Sequence, residues 1–421
     1  MSSALRAHLT AARARAQAPA LLLLAVFALL PFSRSYELPL LVMAVLGLRY
    51  VPGLFRAGAE PMQRLAALLF LGYWLPELLS AIDSIAPDKS WTEVAADLRF
   101  LPVLLYAQHG LAQPGRAAFA LRGLALLVAL WTVDALIQAV AGVSLGGANR
   151  VDRLSGIFGD DDLKLGAVMA ALSPLLLVAA KQGYGWRGFA ISALALAVVI
   201  GLAGARAAWL SYAGVLVLLL WFALPKLSQR LAALGAACTL ILAAGFALES
   251  GSERFAERIE RSAAALSGDP EALDHALSYR LPIWRAALSM IEAHPVNGVG
   301  VRGYRYAYPE HAPTDDRFVF EGERGEQGAF HAHQIVLEIL SETGALGLLC
   351  WLAAVAVGLR ALRTASADAR LRAWPVSLAL LTLLFPLNTH YAVYSSFLSV
   401  LLFALLALWL GALSTRAPDA R

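Results

Sequence analysis

Long, continuous apolar runs separated by short polar links dominate this chain. A helix needs about 20 mostly apolar residues to span a bilayer. About twelve runs approach that length. They cover 17–33, 37–54, 63–82, 98–113, 117–140, 164–181, 187–204, 206–224, 229–249, 333–359, 371–388 and 394–413. Apolar and polar positions do not alternate within the runs, which argues against a strand-based membrane barrel. The pattern predicts an all-α, polytopic membrane protein with about twelve transmembrane helices and one helical loop subdomain. Its expected parts are an N-terminal bundle over 1–249 with about nine helices, the loop over 250–332, and about three more helices over 333–421.

Composition agrees. Hydrophobic residues make up 59% of the 421 and charged residues only 15%, with a mean hydropathy of +0.64. A soluble domain has roughly a quarter of its residues charged. The N-terminus, "MSSALRAHLTAARARAQAPALLLLAVFALL", has the basic flank and apolar run of a signal peptide. No clear small-x-small cleavage site follows, so it is expected to remain as the first helix.

The distribution of Lys and Arg sets an orientation. With the N-terminus inside, inner loops hold about 18 of these residues and the short outer loops about seven. The bias holds from loop to loop and predicts an even number of spans with both termini cytoplasmic. The net charge of +4 then reflects topology and gives no ground for nucleic-acid binding. Residues 250–332 fall outside and are long and mixed in charge. There, "SERFAERIERSAAALSG" has helical charge spacing, and "YRLPIWRAALSMIEAHP" reads as an amphipathic helix stopped by Pro295. A Gly-rich turn, "VNGVGVRGY", comes next. Both cysteines, Cys238 and Cys350, fall inside spans, so no disulfide framework is implied.

Several polar residues stand where the pattern calls for apolar ones. His331 and His333 precede the apolar run that starts at Ile335, and Glu338 and Glu342 follow within it. In a helix, the stripe below His333 would hold Val336, Leu337, Leu340, Gly344 and Gly347, whose small members would let a neighbouring helix approach closely. In the first helical turn, the positive end of the dipole would keep the imidazole neutral and able to act as a base. The same position would suit an interfacial histidine that only hydrogen-bonds the loop. Glu338 and Glu342 would lie on the other side of the helix, and pairing with an arginine or capping loop backbone suits them better than catalysis.

Arg206, in "GLAGARAAWLSY", is an arginine at the mouth of two apolar spans, a placement that usually marks function. Arg280, Arg285, Arg302 and Arg305 follow in the loop. The arginine fork suits phosphate oxygens, although for any one of these four a solvated or headgroup-binding face is the better reading. "FGDDDLKLG" contains Asp160-x-Asp162, which resembles a metal-binding pattern but reads more simply as helix N-capping. No metal site is expected. There is no Cys/His metal spacing, no phosphate-cradling Gly-rich loop with its Lys, and no Gly-x-Ser-x-Gly nucleophile turn.

"HQIVLEILSETGALG" resembles the O-antigen ligase and polymerase superfamily: His333, Gln334, then nine residues, then Gly344-x-x-Gly347. "YRLPIWRAALSMIEAHPVNGVGVRGY" is similar to that family's segment just before the histidine. "GARAAWL" resembles its mid-chain arginine motif, with Ala205 where Ser is common. "RLSGIFGDDDLKLG" resembles its Ser-Gly-x-Phe stretch, with Asp162 where Asn is usual.

The resemblance implies a glycosyltransferase at the periplasmic face of the bacterial inner membrane, without cofactor or metal. Its donor would be an O-antigen glycan on undecaprenyl pyrophosphate. Its acceptor would be a sugar hydroxyl of lipid A–core, approached among membrane lipids. His333 would be the catalytic base, Arg206 and Arg280 would bind the donor diphosphate, and one displacement would invert the anomeric centre. His331, Arg285, Arg302, Asn388 and His390 could line the site.

Related polymerases often carry two sizeable outer loops, each with an arginine ten residues before a glycine. This chain has one such loop and neither Arg206 nor Arg280 has that glycine, so a ligase is the preferred reading. An O-antigen polymerase and a protein O-glycan ligase remain as alternatives. A transporter would spread its polar residues near the midplane of several spans, whereas here they gather at one end. A scaffold protein using the loop as a partner site is the other non-enzyme reading.

Overall fold

The computed structural model describes residues 17–56, 58–148, 153–159, 164–238, 269–322, 325–386 and 392–414. They are overwhelmingly helical. The first part contains α1 (Gln17–Leu29), α2 (Glu37–Gly47), α3 (Pro61–Ser80), α4 (Pro87–Asp97), α5 (Phe100–Leu111) and α6 (Arg116–Ala141). A 3-10 turn, Leu48–Phe55, extends α2. Next come α7 (Lys164–Leu202), α8 (Arg206–Ala223) and α9 (227–238). The loop subdomain holds α10 (Pro270–Ala276), α11 (Leu281–Ala293), α12 (Tyr304–His311) and the hairpin β3–β4 (Phe320–Gly322, Gly325–Gln327). α13 (Ile335–Thr364), α14 (Ala367–Leu383) and α15 (Ser396–Ser414) complete the chain, and a small hairpin, β1–β2 (Val143–Ser144, Gly147–Ala148), follows α6.

Six of these helices are long and apolar enough to cross a membrane: Glu37–Phe55, Arg116–Ala141, Lys164–Leu202, Arg206–Ala223, Ile335–Thr364 and Ser396–Ser414. This supports an all-α membrane protein, with a correction to the expected run over 98–113. That run forms only the 12 residues of Phe100–Leu111, short of the ~20 that a span requires. The runs expected over 164–181 and 187–204 form one helical stretch broken at Gly185, where φ is 65° and ψ is −154°. That region of backbone space is open essentially to glycine alone. Residues 239–249 of the expected ninth span and the "SERFAERIERSAAALSG" helix lie outside the described residues.

Helix α15 is the centre of the bundle and packs against α5 and α14, while α13 lies along α3. Aromatic rings join these helices: Phe100 stacks on Phe403 at 4.2 Å, and Tyr73 packs against Trp351, Tyr394 and Phe403. The α3–α13 contact depends on Gly72, where a Cβ would fall 2.4 Å from that of Ala354. A small residue is what lets two helical backbones come this close.

The loop subdomain has its own core. The apolar face of α11 (Ile283, Ala286, Ala287, Met290) meets Tyr304, Ala307 and Tyr308 of α12, together with Ala329 and Ala332. Helix α11 ends where Pro295 was expected to stop it. The following turn then docks onto α13. Val299 and Gly300 donate backbone hydrogen bonds to the carbonyls of Ser341 and Glu342 at 2.8 and 3.0 Å. Ala345 and Leu346 donate to the carbonyls of Pro295 and Val296, both at 3.0 Å. These four bonds replace helical ones, because α13 is broken at Gly344 (φ 64°, ψ −166°). The sequence pattern placed Gly344 on a stripe facing a neighbouring helix. It faces the loop turn instead, and a Cβ there would lie 2.2 Å from the Val296 carbonyl oxygen.

Candidate active site

The docked turn and the break in α13 fix the segment just before α13, which carries the two histidines. Gln334 caps the helix, its side chain accepting from Leu337 N–H at 2.6 Å. His333 therefore precedes the cap and is not in the first turn, contrary to the expectation of a span starting at 333. Its backbone is left-handed, with φ 52°. Its amide donates to Nδ1 of His331 at 3.1 Å, and the two imidazole rings lie 3.8 Å apart. Trp284 of α11 donates to the Ala332 carbonyl at 3.1 Å, which ties this histidine loop to the subdomain.

His331 also contacts Glu338, with Nδ1 3.3 Å from Oε2. An ion pair there would need a protonated ring. Burial, Arg280 and Arg302 oppose that charge and push the His331 pKa down to about 4. A neutral ring accepting the His333 amide fits the geometry better than an ion pair. Glu338 instead takes the Val393 N–H on Oε1 at 2.7 Å, and Glu342 takes the Arg302 N–H at 2.8 Å. Both carboxylates therefore hold loop backbone.

The arginines converge from separate elements. Arg206 is the first residue of α8, and its Nη2 donates to the Ser278 hydroxyl at 3.1 Å. Ser278 and Tyr279 are both left-handed, with φ 59°. Asp274 holds that turn, its carbonyl accepting from Tyr279 N–H at 2.7 Å and its side chain from Leu281 N–H at 3.0 Å. The turn delivers Arg280 as the N-cap residue of α11. Burial and the charge of Arg206 lower the Arg280 pKa, and Arg280 in turn acts on His331. Arg206, Arg280 and the histidine loop thus form one cationic site, drawn from positions far apart in the chain.

Arg302 is engaged otherwise. Its Nε lies 3.7 Å from Glu93 and its Nη1 donates to the Tyr394 carbonyl at 3.0 Å. Burial opposes its charge, but Glu93, Glu342 and Glu338 outweigh that and raise its pKa. It is a neutralised structural cation beneath the histidines. Arg285 is exposed on α11 and joins none of these contacts. Asn388, His390, Asp160 and Asp162 lie outside the described residues. Five non-glycine residues among those described have positive φ: Ser33, Ser278, Tyr279, Arg302 and His333. All but Ser33 surround this site, as expected where backbone strain is retained for function. Asp274, Glu93 and the Val393 amide went unnoticed in the sequence, and only their three-dimensional neighbours reveal them.

Below the histidine loop runs an apolar groove of about 380 Å³ between α3, α13, α14 and α15. It starts at Ile335, Val336 and Pro386, and it follows α13 to Gly358 and Leu362. That is roughly 40 Å of helix. Its upper rim is fixed by Gln334 Nε2, which donates to the Pro386 carbonyl at 2.6 Å.

A family model for O-antigen ligase matches residues 190–352. The match runs from the second half of α7 past the break in α13, and it contains Arg206, Arg280, His331 and His333. No curated protein matches the chain.

Proposed function

We propose that this chain is an O-antigen ligase, the family whose model matches residues 190–352. On this reading it moves a glycan from undecaprenyl pyrophosphate to a sugar hydroxyl of lipid A–core, at the periplasmic face of the inner membrane. The observation that carries the reading is that Arg206 is bonded to the Ser278–Arg280 turn, which leads into α11, and that α11 in turn holds the histidine loop through Trp284, above an apolar groove. A polyprenyl diphosphate has the matching parts: a long hydrocarbon chain, then a doubly anionic link, then a sugar.

The chemistry follows from these groups. His333 takes the proton of the acceptor hydroxyl, and the oxygen attacks the anomeric carbon of the donor. The bond from that carbon to the diphosphate oxygen breaks, and the anomeric centre inverts. Arg206 and Arg280 bind the departing diphosphate more tightly as its charge grows, which lowers the barrier. The leaving group needs no proton, so one base suffices and the reading routes no step through a metal. The products are the new glycoside, undecaprenyl pyrophosphate and a proton on His333.

The test uses purified protein and lipid-linked donor. Donor alone should remain unchanged, and adding lipid A–core should give one glycosylated product and free undecaprenyl pyrophosphate. Chains of repeats lengthening on the carrier without lipid A–core would make the protein a polymerase instead.

A further inference from the structure

Beside the histidine loop, two phenylalanine rings stand out into solvent. Phe330 is 63% exposed and Phe320 is 39% exposed, and their centroids are 6.0 Å apart. Arg305 is held among them, its Cζ 4.5 Å from the Phe330 ring centroid, 5.9 Å from that of Phe320 and 5.5 Å from that of Tyr306. The Arg305 Nε is buried and has no hydrogen-bond partner among the described residues. Aromatic faces attract a guanidinium, so the three groups hold one another in place. The backbone around them is fixed too. Ala329 and Ala332 are buried in the subdomain core, Gly328 N–H donates to the Arg305 carbonyl at 2.8 Å, and Trp284 holds Ala332. Single exposed apolar residues need no explanation, but paired exposed aromatic rings on anchored backbone are suited to contact a ligand.

We propose that Phe330, Phe320 and Arg305 form a sugar-stacking platform that holds the oligosaccharide of the acceptor. The proposal rests on the glycosyl-transfer reading of the histidine loop. A pyranose ring presents C–H groups on its faces and hydroxyl groups at its rim. The Phe330 and Phe320 rings suit the former and the Arg305 guanidinium the latter. A lipid surface fits less well. Glu321 and Glu326 sit directly opposite each other on the neighbouring hairpin and are exposed, so they would repel anionic headgroups. Membrane interfaces also favour Trp and Tyr over Phe. The acceptor is chosen over the donor because Phe330 precedes the base by three residues on the same segment, within about 10 Å of chain. The diphosphate arginines come from α8 and from the turn before α11.

The experiment titrates purified full-length protein with core oligosaccharide freed of lipid A, read by saturation-transfer NMR. Phe330→Ala should weaken binding about fivefold, and Phe330→Trp should preserve it. In the transfer assay Phe330→Ala should raise the acceptor KM by about the same factor while leaving kcat and the donor KM unchanged. Because Phe330 is exposed, the variant should melt at the wild-type temperature. Unchanged oligosaccharide binding would overturn the proposal. So would a rise in the donor KM alone, or an effect confined to binding of vesicles rich in phosphatidylglycerol. The binding titration does not depend on turnover. If wild-type protein transfers nothing yet Phe330→Ala loses oligosaccharide binding, the platform stands and the ligase reading falls.

Discussion

His333 occupies a backbone conformation that costs a non-glycine residue about 1–2 kcal/mol, and His331 accepts its amide and packs against its ring at a tilt. If His333 is the base, His333→Ala should lower transfer about a hundredfold or more while donor binding remains. His331→Ala should be much milder. Near-normal turnover by purified His333→Ala would sink the assignment. Arg206→Lys and Arg280→Lys keep the charge but lose the fork, and each should reduce transfer about tenfold or more. A fully active pair of lysine variants would show that phosphate geometry is not read here.

His331 carries a separate signature. Its pKa of about 4 in the folded protein lies below the ~6.5 of an unperturbed histidine. Between those values the unfolded chain binds a proton that the folded one does not, so stability falls as pH falls from about 6.5 to about 4. His331→Asn keeps an acceptor for the His333 amide and removes the titration. Its melting temperature should therefore drop less than that of wild type across this window, and parallel curves would refute the assignment. His333, Arg206 and Arg280 stand out as candidates in the sequence because each stands against apolar surroundings or in a motif. Glu338 with Val393, and Glu342 with Arg302, do not, because those bonds join residues 55 and 40 positions apart.

Among the elements, α13 departs most from its sequence pattern. Its apolar run is plain, and the helix does form from Ile335 to Thr364. The break at Gly344 was not visible, because a glycine in a helical run looks the same whether it admits a neighbour or ends a turn. The φ and ψ of Gly344 belong to a region that is essentially glycine-only, at a cost of about 1–3 kcal/mol for other residues. The added Cβ would also strike Val296. Gly344→Ala should therefore lower the melting temperature by several degrees and loosen the Pro295–Gly300 turn, with faster amide exchange at Val299 and Gly300. Exchange rates equal to wild type would mean that the turn does not depend on the break. Short helices such as Phe100–Leu111 were misjudged for a different reason. Apolar runs report burial, and a helix enclosed by others is buried without spanning.

At the scale of the whole molecule, the helical class follows from the hydropathy pattern. The placement of Arg206 against Ser278 does not, since it joins the bundle to the loop across a tertiary contact. The groove beside α13 is likewise a property of packing, lined from α3, α13, α14 and α15 together. Its presence changes what "concentration" means for this protein. On the proposed reading, a donor held by its hydrocarbon chain would reach the arginines by lateral diffusion in two dimensions, so its density per unit of membrane would govern encounter. In detergent, the rate should then follow the donor's mole fraction in the micelle. Adding empty micelles at constant donor molarity should slow transfer by dilution within the surface phase. A rate indifferent to added detergent below inhibitory levels would mean that the donor arrives through water and the groove does not receive it.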